Sequence, residues 1–294
     1  MRVAVIGGTG LIGGRLVSRL TAFGHDVVTA SRATGVDSYT GHGLASALAG
    51  ADALIDVSNS GYLDEAGANE FFYASTLNLL TYGAAAGVRH HIALSIVGTD
   101  RLSRTEGGYF AAKAAQERLI RSSGRPYTIV HSTQFFEFIQ SIADSASIQH
   151  RVRVSNAFIQ PIAADDIADA VAGVVAGAPA NGMIEFAGPD RFRIEEVVRQ
   201  GLRILHDPRQ VEADPLAQYF GTQLAEDELL PGLDATLAPT HFADWLAAGG
   251  DPGEAGTPIA PEARAHDAAI REPAAWRRPA GAADEASVAV EPAP

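Results

Sequence analysis

The sequence predicts a doubly wound α/β protein, and three observations carry that prediction. Short apolar runs alternate with amphipathic segments from the first residues onward. The intervals between runs leave room for a helix, as parallel strands require. A glycine-rich turn joins the first run to the first amphipathic segment. At 294 residues and 47% apolar side chains, the chain is large and oily enough to bury a sizeable core.

The elements follow in order. Arg2–Ile6 reads as a buried strand, and Leu11–Phe23 as a helix with Leu11, Ile12, Leu16, Val17 and Leu20 on one face. Gly24 stops that helix, and Val27–Ala30 is a second strand. A third strand is expected near Val36–Thr40, then a helix over Leu44–Leu48. Ala53–Val57, Ile92–Val97 and Tyr127–Val130 are further strands, separated by helices at Glu65–Ala86 and Gly108–Ser122. Beyond Phe135 the rhythm changes. Short strands at Val152–Val154 and Phe158–Pro161 precede a helix at Asp166–Ala176 and a strand at Met183–Phe186. Helices are expected at Ile194–Leu205, Leu216–Leu224 and His241–Ala248. From Gly250 to Pro294 the chain is rich in Ala, Pro, Gly and Glu without periodicity, the composition of a disordered tail.

Composition excludes several functions. The net charge of −13 comes without any basic cluster, so nucleic acid and anionic membrane are poor partners. No cysteine is present, which removes disulfides, zinc–thiolate sites and thiol catalysis. The histidines form no HxxxH or HxH pair, so no metal is expected. No apolar run reaches the roughly 18 residues of a membrane span. The first strand follows Met1 directly, too short a lead for a signal sequence. The expectation is a cytoplasmic protein with a small-molecule substrate, its oligomeric state left open.

The loop Gly7-Gly8-Thr9-Gly10-Leu11-Ile12-Gly13 follows a strand and opens a helix. In that context Gly7 permits the tight turn, Gly10 lets the backbone approach a pyrophosphate, and Gly13 lets helix pack on strand. The free N–H groups at the start of the helix then hold phosphate. Gly7, Thr9, Gly10, Leu11, Ile12 and Gly13 are therefore the expected cofactor cradle. Residues 1–150 form the expected dinucleotide-binding domain, and 151–249 a smaller substrate lobe interleaved with it.

The chain has 21 arginines and one lysine, Lys113. A lone lysine in so arginine-rich a chain points to a task that arginine cannot perform. The GxxGxxG spacing resembles the extended and atypical branches of the short-chain dehydrogenase/reductase superfamily. That resemblance demands a Ser at the end of a later strand and a YxxxK motif opening the next helix. Ser95 and Tyr109-Phe110-Ala111-Ala112-Lys113 meet both demands. Over about residues 1–250 the chain resembles most specifically the NmrA-like NAD(P)H-binding reductases. Pro126–Phe136 looks like the nicotinamide-side strand and loop of that group, and Pro161–Ala168 like its turn into the substrate lobe. The resemblance implies a Rossmann fold and hydride transfer to a carbonyl or quinone-like compound. Tyr109 would be the proton donor, Lys113 would lower the Tyr109 pKa and hold the nicotinamide ribose, and Ser95 would donate to the substrate oxygen. The rival readings are an epimerase or dehydratase using the same triad, or a non-catalytic NAD(P)-sensing regulator, and the presence of both Tyr109 and Lys113 favours an enzyme.

The second strand ends Ala30-Ser31-Arg32, where an NAD site would usually place an acid for the ribose 2′-hydroxyl. Ser31 and Arg32 instead suit a 2′-phosphate, so NADP(H) is expected over NAD(H). Asp165 and Asp166 read as helix caps, and His90-His91 as a solvated or helix-capping pair. His131, Asn78 and the Phe135, Phe136, Phe138 group lie where they could line the cleft or simply pack.

Overall fold

The computed structural model describes residues 1–60, 65–103 and 108–255. The first half alternates as β1 (Arg2–Ile6), α1 (Leu11–Ala22), β2 (Asp26–Ala30), α2 (Leu44–Leu48), β3 (Ala53–Asp56), α3 (Glu65–Ala85), β4 (His90–Ile96), α4 (Thr99–Leu102), α5 (Gly108–Ser122) and β5 (Tyr127–Ser132). Next come α6 (Ile139–Ser145), β6 (Ser147–Ile148), β7 (Arg151–Val154), β8 (Phe158–Ile159), α7 (Ala164–Ala176) and β9 (Gly182–Ala187). The described chain finishes with β10 (Phe192–Arg193), α8 (Ile194–Ile204), β11 (Gln210–Ala213), β12 (Gln218–Tyr219), β13 (Thr222–Gln223), β14 (Thr236–Leu237) and α9 (Phe242–Ala247).

Seven strands form one parallel sheet in the order β14-β9-β5-β4-β3-β1-β2. Two of them, β9 and β14, come from beyond residue 150, so the later part of the chain is woven into the sheet. The chain starts at β1, steps outward to β2, then returns to β3 on the other side of β1. The crevice at the C-terminal ends of β1 and β3 is therefore a topological switch point, where open α/β sheets bind ligands.

Strand alternation distributes the core to both faces. Val3 and Val5 point to the side where Ile12, Leu16 and Leu20 of α1 meet Ile167 and Val171 of α7. Ala4 and Ile6 point to the other, against Leu44, Leu48 and Leu79. A separate core of Phe136, Ile139, Val197, Leu202 and Phe242 underlies the later segment.

Two expected elements do not form. Val36–Thr40 is loop, because the Asp37 carboxylate accepts the Tyr39 N–H at 2.9 Å and Gly35, Gly41 and Gly43 all take positive φ. Local side-chain bonding of this kind competes with a strand ladder. Leu216–Leu224 is not a helix. Leu216, Phe220 and Leu224 stand four apart, yet Leu216 is 77% exposed, and Phe220 and Gly221 at φ 47° and 85° turn the chain between β12 and β13. The expected tail is partly structured: the Gln140 N–H donates to Pro252 O and the Ala255 N–H to Glu137 O. From residue 256 onward the tail lies outside the described residues.

Gly13 is where α1 meets the end of β1. A Cβ there would fall 2.0 Å from Gly7 O, while one on Gly14 would meet nothing within 4 Å. Gly13→Ala should cost at least about 2 kcal/mol, because backbone rather than a yielding side chain opposes it. Gly14→Ala should be neutral or stabilise by up to about 1 kcal/mol through helix propensity. Urea denaturation of both variants checks the contrast.

Candidate active site

The glycine loop has the geometry of a phosphate cradle. Gly7 adopts φ 83°, and its N–H and that of Gly8 both donate to Ala30 O, at 2.9 and 3.2 Å. The loop is thus tied to the end of β2. Gly10 caps α1 with extended backbone and no side-chain hydrogen bond. The first-turn N–H groups of Leu11 and Ile12 have no intrahelical acceptor, as at any helix start, and with the helix dipole they suit an anion. A Cβ on Gly7 would lie 2.9 Å from the Ser58 backbone, so the ends of β1 and β3 touch at the crevice. Beyond β2, Ser31 keeps its Oγ buried and without a partner. Arg32 is exposed, and no hydrogen bond or ion pair engages its side chain among the described residues.

Tyr109, Lys113 and Ser95 are brought to one region, with their polar heads turned to different partners. The half-buried Tyr109 donates its hydroxyl to Asn59 Oδ1 at 2.9 Å. Asn59 follows Ser58, so this phenol sits on the same rim as the glycine loop. Burial pushes the Tyr109 phenol well above its ordinary 10. That reverses the expectation that Lys113 lowers it. Lys113 is 3% exposed, and its ammonium donates to Leu94 O at 2.8 Å and Gln116 Oε1 at 2.5 Å, with the Phe72 ring centroid 4.6 Å away. Burial lowers its pKa to about 8, opposed by the nearby Asp56 and Glu117 carboxylates. Ser95, also 3% exposed, donates to Glu117 Oε1 at 2.5 Å instead of presenting its hydroxyl to a ligand.

These contacts belong to a buried polar layer between the sheet and α5. Ser58 Oγ and N–H donate to Asp56 Oδ1, Gln116 Nε2 donates to Asp56 Oδ2 at 3.0 Å, and Gln116 in turn accepts from Lys113. Beside it, His131 Nε2 lies 2.9 Å from Glu117 Oε1, and His131 Nδ1 lies 3.6 Å from Glu185 Oε1. Burial opposes charge on His131, but the two carboxylates outweigh it and raise its pKa to about 9. Burial likewise opposes the Glu117 carboxylate, yet His131, Ser95 and Lys113 hold it below its ordinary value. Asp56, Gln116 and Glu117 were not singled out from sequence. The available signal was their spacing: Gln116 and Glu117 lie three and four residues after Lys113, on the helix face that also buries Phe110 and Ile120.

The remaining candidates resolve into structural roles. Asn78 braces the loop after β2 by donating to Ser38 O and Tyr39 O, both at 2.9 Å. Phe136 packs on Phe242 and Trp245, and Phe138 on Phe220. His90 and His91 are buried, not solvated: His90 bonds Thr128 Oγ1, and burial lowers the His91 pKa to about 4. Asp165 pairs with Arg15 and Arg19, and Asp166 accepts from Thr240, so neither caps α7. Among the described residues no group of three or more His, Asp or Glu is placed to hold a metal, and no helix is long and apolar enough to cross a membrane.

A family model described as NAD(P)H-binding matches residues 7–177. Among solved structures, the dTDP-glucose 4,6-dehydratase DesIV of Streptomyces venezuelae, with NAD bound, is similar at a TM-score of 0.62 and 20% identity, over 84% of this chain and 95% of that one. The UDP-glucose 4-epimerase of Thermus thermophilus, in complex with NAD, is similar at a TM-score of 0.56 and 16% identity, over 86% of this chain and 94% of that one. At such identities the likeness is one of fold. No curated protein matches the sequence.

The His131–Glu117 pair gives a pH signature. The folded pKa of His131 lies above its ordinary 6.5, so its stabilisation is complete below about pH 6.5 and drains as pH climbs toward about 9. Glu137, raised to about 7, adds a slope of the same sign near pH 7, Lys113, lowered to about 8, begins to oppose it near pH 8, and His91, at about 4, acts lower. Between about pH 7 and about pH 8 unfolding free energy should therefore fall with pH, His131 supplying at most about 1.4 kcal/mol per unit of the slope. Denaturation of His131→Gln across that window should show most of the slope removed.

Proposed function

Because the chain belongs to the NAD(P)H-binding family, whose model spans residues 7–177, we propose that it is a nicotinamide-dependent oxidoreductase of the short-chain dehydrogenase/reductase type, reducing a small carbonyl or quinone-like compound. The observation that carries this reading is the position of the Tyr109 hydroxyl. Gly7 abuts Ser58, Ser58 precedes Asn59, and Asn59 accepts the Tyr109 proton at 2.9 Å. The phenol is thus one residue removed from the crevice in which the dinucleotide would lie.

The nicotinamide supplies the hydride when bound; the chain supplies phosphate binding, orientation and the proton. The Leu11 and Ile12 N–H groups would hold the pyrophosphate, with Gly10 letting it approach the backbone, while Gly7 and Gly13 keep the loop and α1 packed at the strand ends. Tyr109 would supply the proton: its O–H bond would break as the carbonyl oxygen gains negative charge, and the proton would pass to that oxygen. The phenolate then regains a proton from solvent at its half-exposed edge. A phenol raised by burial stays protonated at neutral pH, the form that can donate to a carbonyl oxygen. Lys113 and Ser95 act in this scheme by fixing α5 on the sheet through Leu94 O, Gln116 and Glu117. Substrate binds against the later segment, residues 151–249.

Ser31 and Arg32 support NADPH as the preferred cofactor. The unpaired Ser31 Oγ and the free Arg32 guanidinium lie just past the loop's anchor at Ala30. A charge-assisted contact to a 2′-phosphate is worth on the order of 1.5–3 kcal/mol.

One observation favours a second reading, a non-catalytic dinucleotide sensor: Ser95 and Lys113 are already satisfied by internal partners. Turnover separates the two. Steady-state NADPH oxidation against ketones, quinones and enones should find a substrate, and Tyr109→Phe should then lower kcat at least about a hundredfold with dinucleotide affinity unchanged. Near-normal turnover by Tyr109→Phe would remove the proton-donor assignment. No turnover by the parent with any carbonyl would favour the sensor. In binding titrations NADPH should exceed NADH at least about tenfold, and Arg32→Ala should erase the difference; equal affinities in the parent would overturn the preference.

A further inference from the structure

We propose that Arg15 is a phosphate-binding residue of the dinucleotide site and that Glu254, which now holds it, is an internal competitor for the cofactor phosphates. The inference rests on the dinucleotide reading above. Arg15 lies on α1 with its Nη1 donating to Leu11 O at 3.0 Å, so its guanidinium stands beside the first turn of the helix. Nη2 takes both Glu254 carboxylate oxygens, at 2.8 and 2.7 Å. Thr9, Gly10, Leu11, Arg15 and Glu254 line one open cavity of about 550 Å³. An acidic side chain therefore shares the space with the backbone that a pyrophosphate would approach.

Close packing delivers that carboxylate. A Cβ on Gly253 would fall 2.0 Å from Gln140 Oε1, and one on Gly250 would fall 2.3 Å from the Trp245 ring. The Gln140 N–H donates to Pro252 O at 3.0 Å, and the Ala255 N–H donates to Glu137 O at 3.1 Å. Residues 250–255 thus form a strap seated on α6 and the segment before it, with Glu254 aimed at α1.

The chemistry is one of exchange. The planar fork of an arginine binds a carboxylate or a phosphate bidentately, and two acidic groups in one cavity repel. The Glu254 side chain is 43% exposed, so its ion pair is weak in water. A pyrophosphate brings more charge to the same guanidinium. Arg19, the neighbouring cation, is bonded by Asp165 and Asp169 of α7, and Asp165 also reaches Arg15 Nε at 3.3 Å. Of the two arginines, Arg15 is the one whose partner comes from the strap.

Calorimetric titration of the full chain with NADPH, and separately with inorganic pyrophosphate, tests the exchange in the parent, Glu254→Gln, Arg15→Gln and the double variant. Glu254→Gln should tighten both ligands roughly three- to tenfold, and Arg15→Gln should weaken both by at least about threefold. In the Arg15→Gln background, Glu254→Gln should change nothing, because the carboxylate acts through the guanidinium. Glu254→Ala should repeat the Gln result. Unchanged or weaker binding by Glu254→Gln, in a parent that binds NADPH, overturns the competitor role. Failure of every form to bind NADPH overturns the dinucleotide reading itself.

Discussion

Helix α1 can meet the end of β1 only because residue 13 has no side chain, and the rest of the site depends on that contact. With Gly13 against Gly7, the start of α1 faces the switch point and its free N–H groups open onto the crevice. The same approach lets Gly7 and Gly8 share Ala30 O, which ties the loop to β2 and places Ser31 and Arg32 beside it. It also brings Ser58 against Gly7, and through Asn59 it links the loop to Tyr109. A methyl group at position 13 would part these elements together.

A second constraint lies on the other side of the sheet, in the polar layer beneath α5. Burying Lys113, Glu117, His131 and Asp56 is costly unless each finds its partner, and here each does. Such a layer fixes geometry more than it adds stability: it sets the rotation of α5 and so the direction of Tyr109. It also gives a physical reason for the only lysine in the chain. A compact ammonium fits a closed pocket between Leu94 O, Gln116 and the Phe72 ring. A guanidinium has five donors in a wider plane and could not be satisfied there.

Much of this fold was legible in the sequence, and the gaps have specific causes. Local signals identified the glycine loop, the strands from β1 to β5 and most helices, because glycine spacing and apolar period are local properties. The expected strand at Val36–Thr40 failed because Asp37 and three glycines bond and bend the chain more strongly than its apolar residues pull it flat. The expected helix at Leu216–Leu224 failed because its apolar spacing was coincidental, with Leu216 facing solvent and Phe220 in a turn. At the site, residue types and order placed Ser95, Tyr109 and Lys113 in one region but did not give the direction of their polar heads. Those directions are set by Asn59 for Tyr109, by Glu117 for Ser95, and by Leu94 O and Gln116 for Lys113. The tie between Arg15 and Glu254 joins residues 239 apart, a pairing no local pattern carries.

The fold, the cradle and the family converge on a bound nicotinamide dinucleotide, and the central claim is that its hydride is used. The most direct measurement follows the label. The protein is incubated with NADPH carrying deuterium at one face of nicotinamide C4 and with the carbonyl panel, and the products are examined by mass spectrometry and NMR. The account predicts deuterium on the former carbonyl carbon, transferred from one face only and absent when Tyr109 is Phe. NADPH that binds tightly, stays reduced and gives up no label to any carbonyl would contradict it.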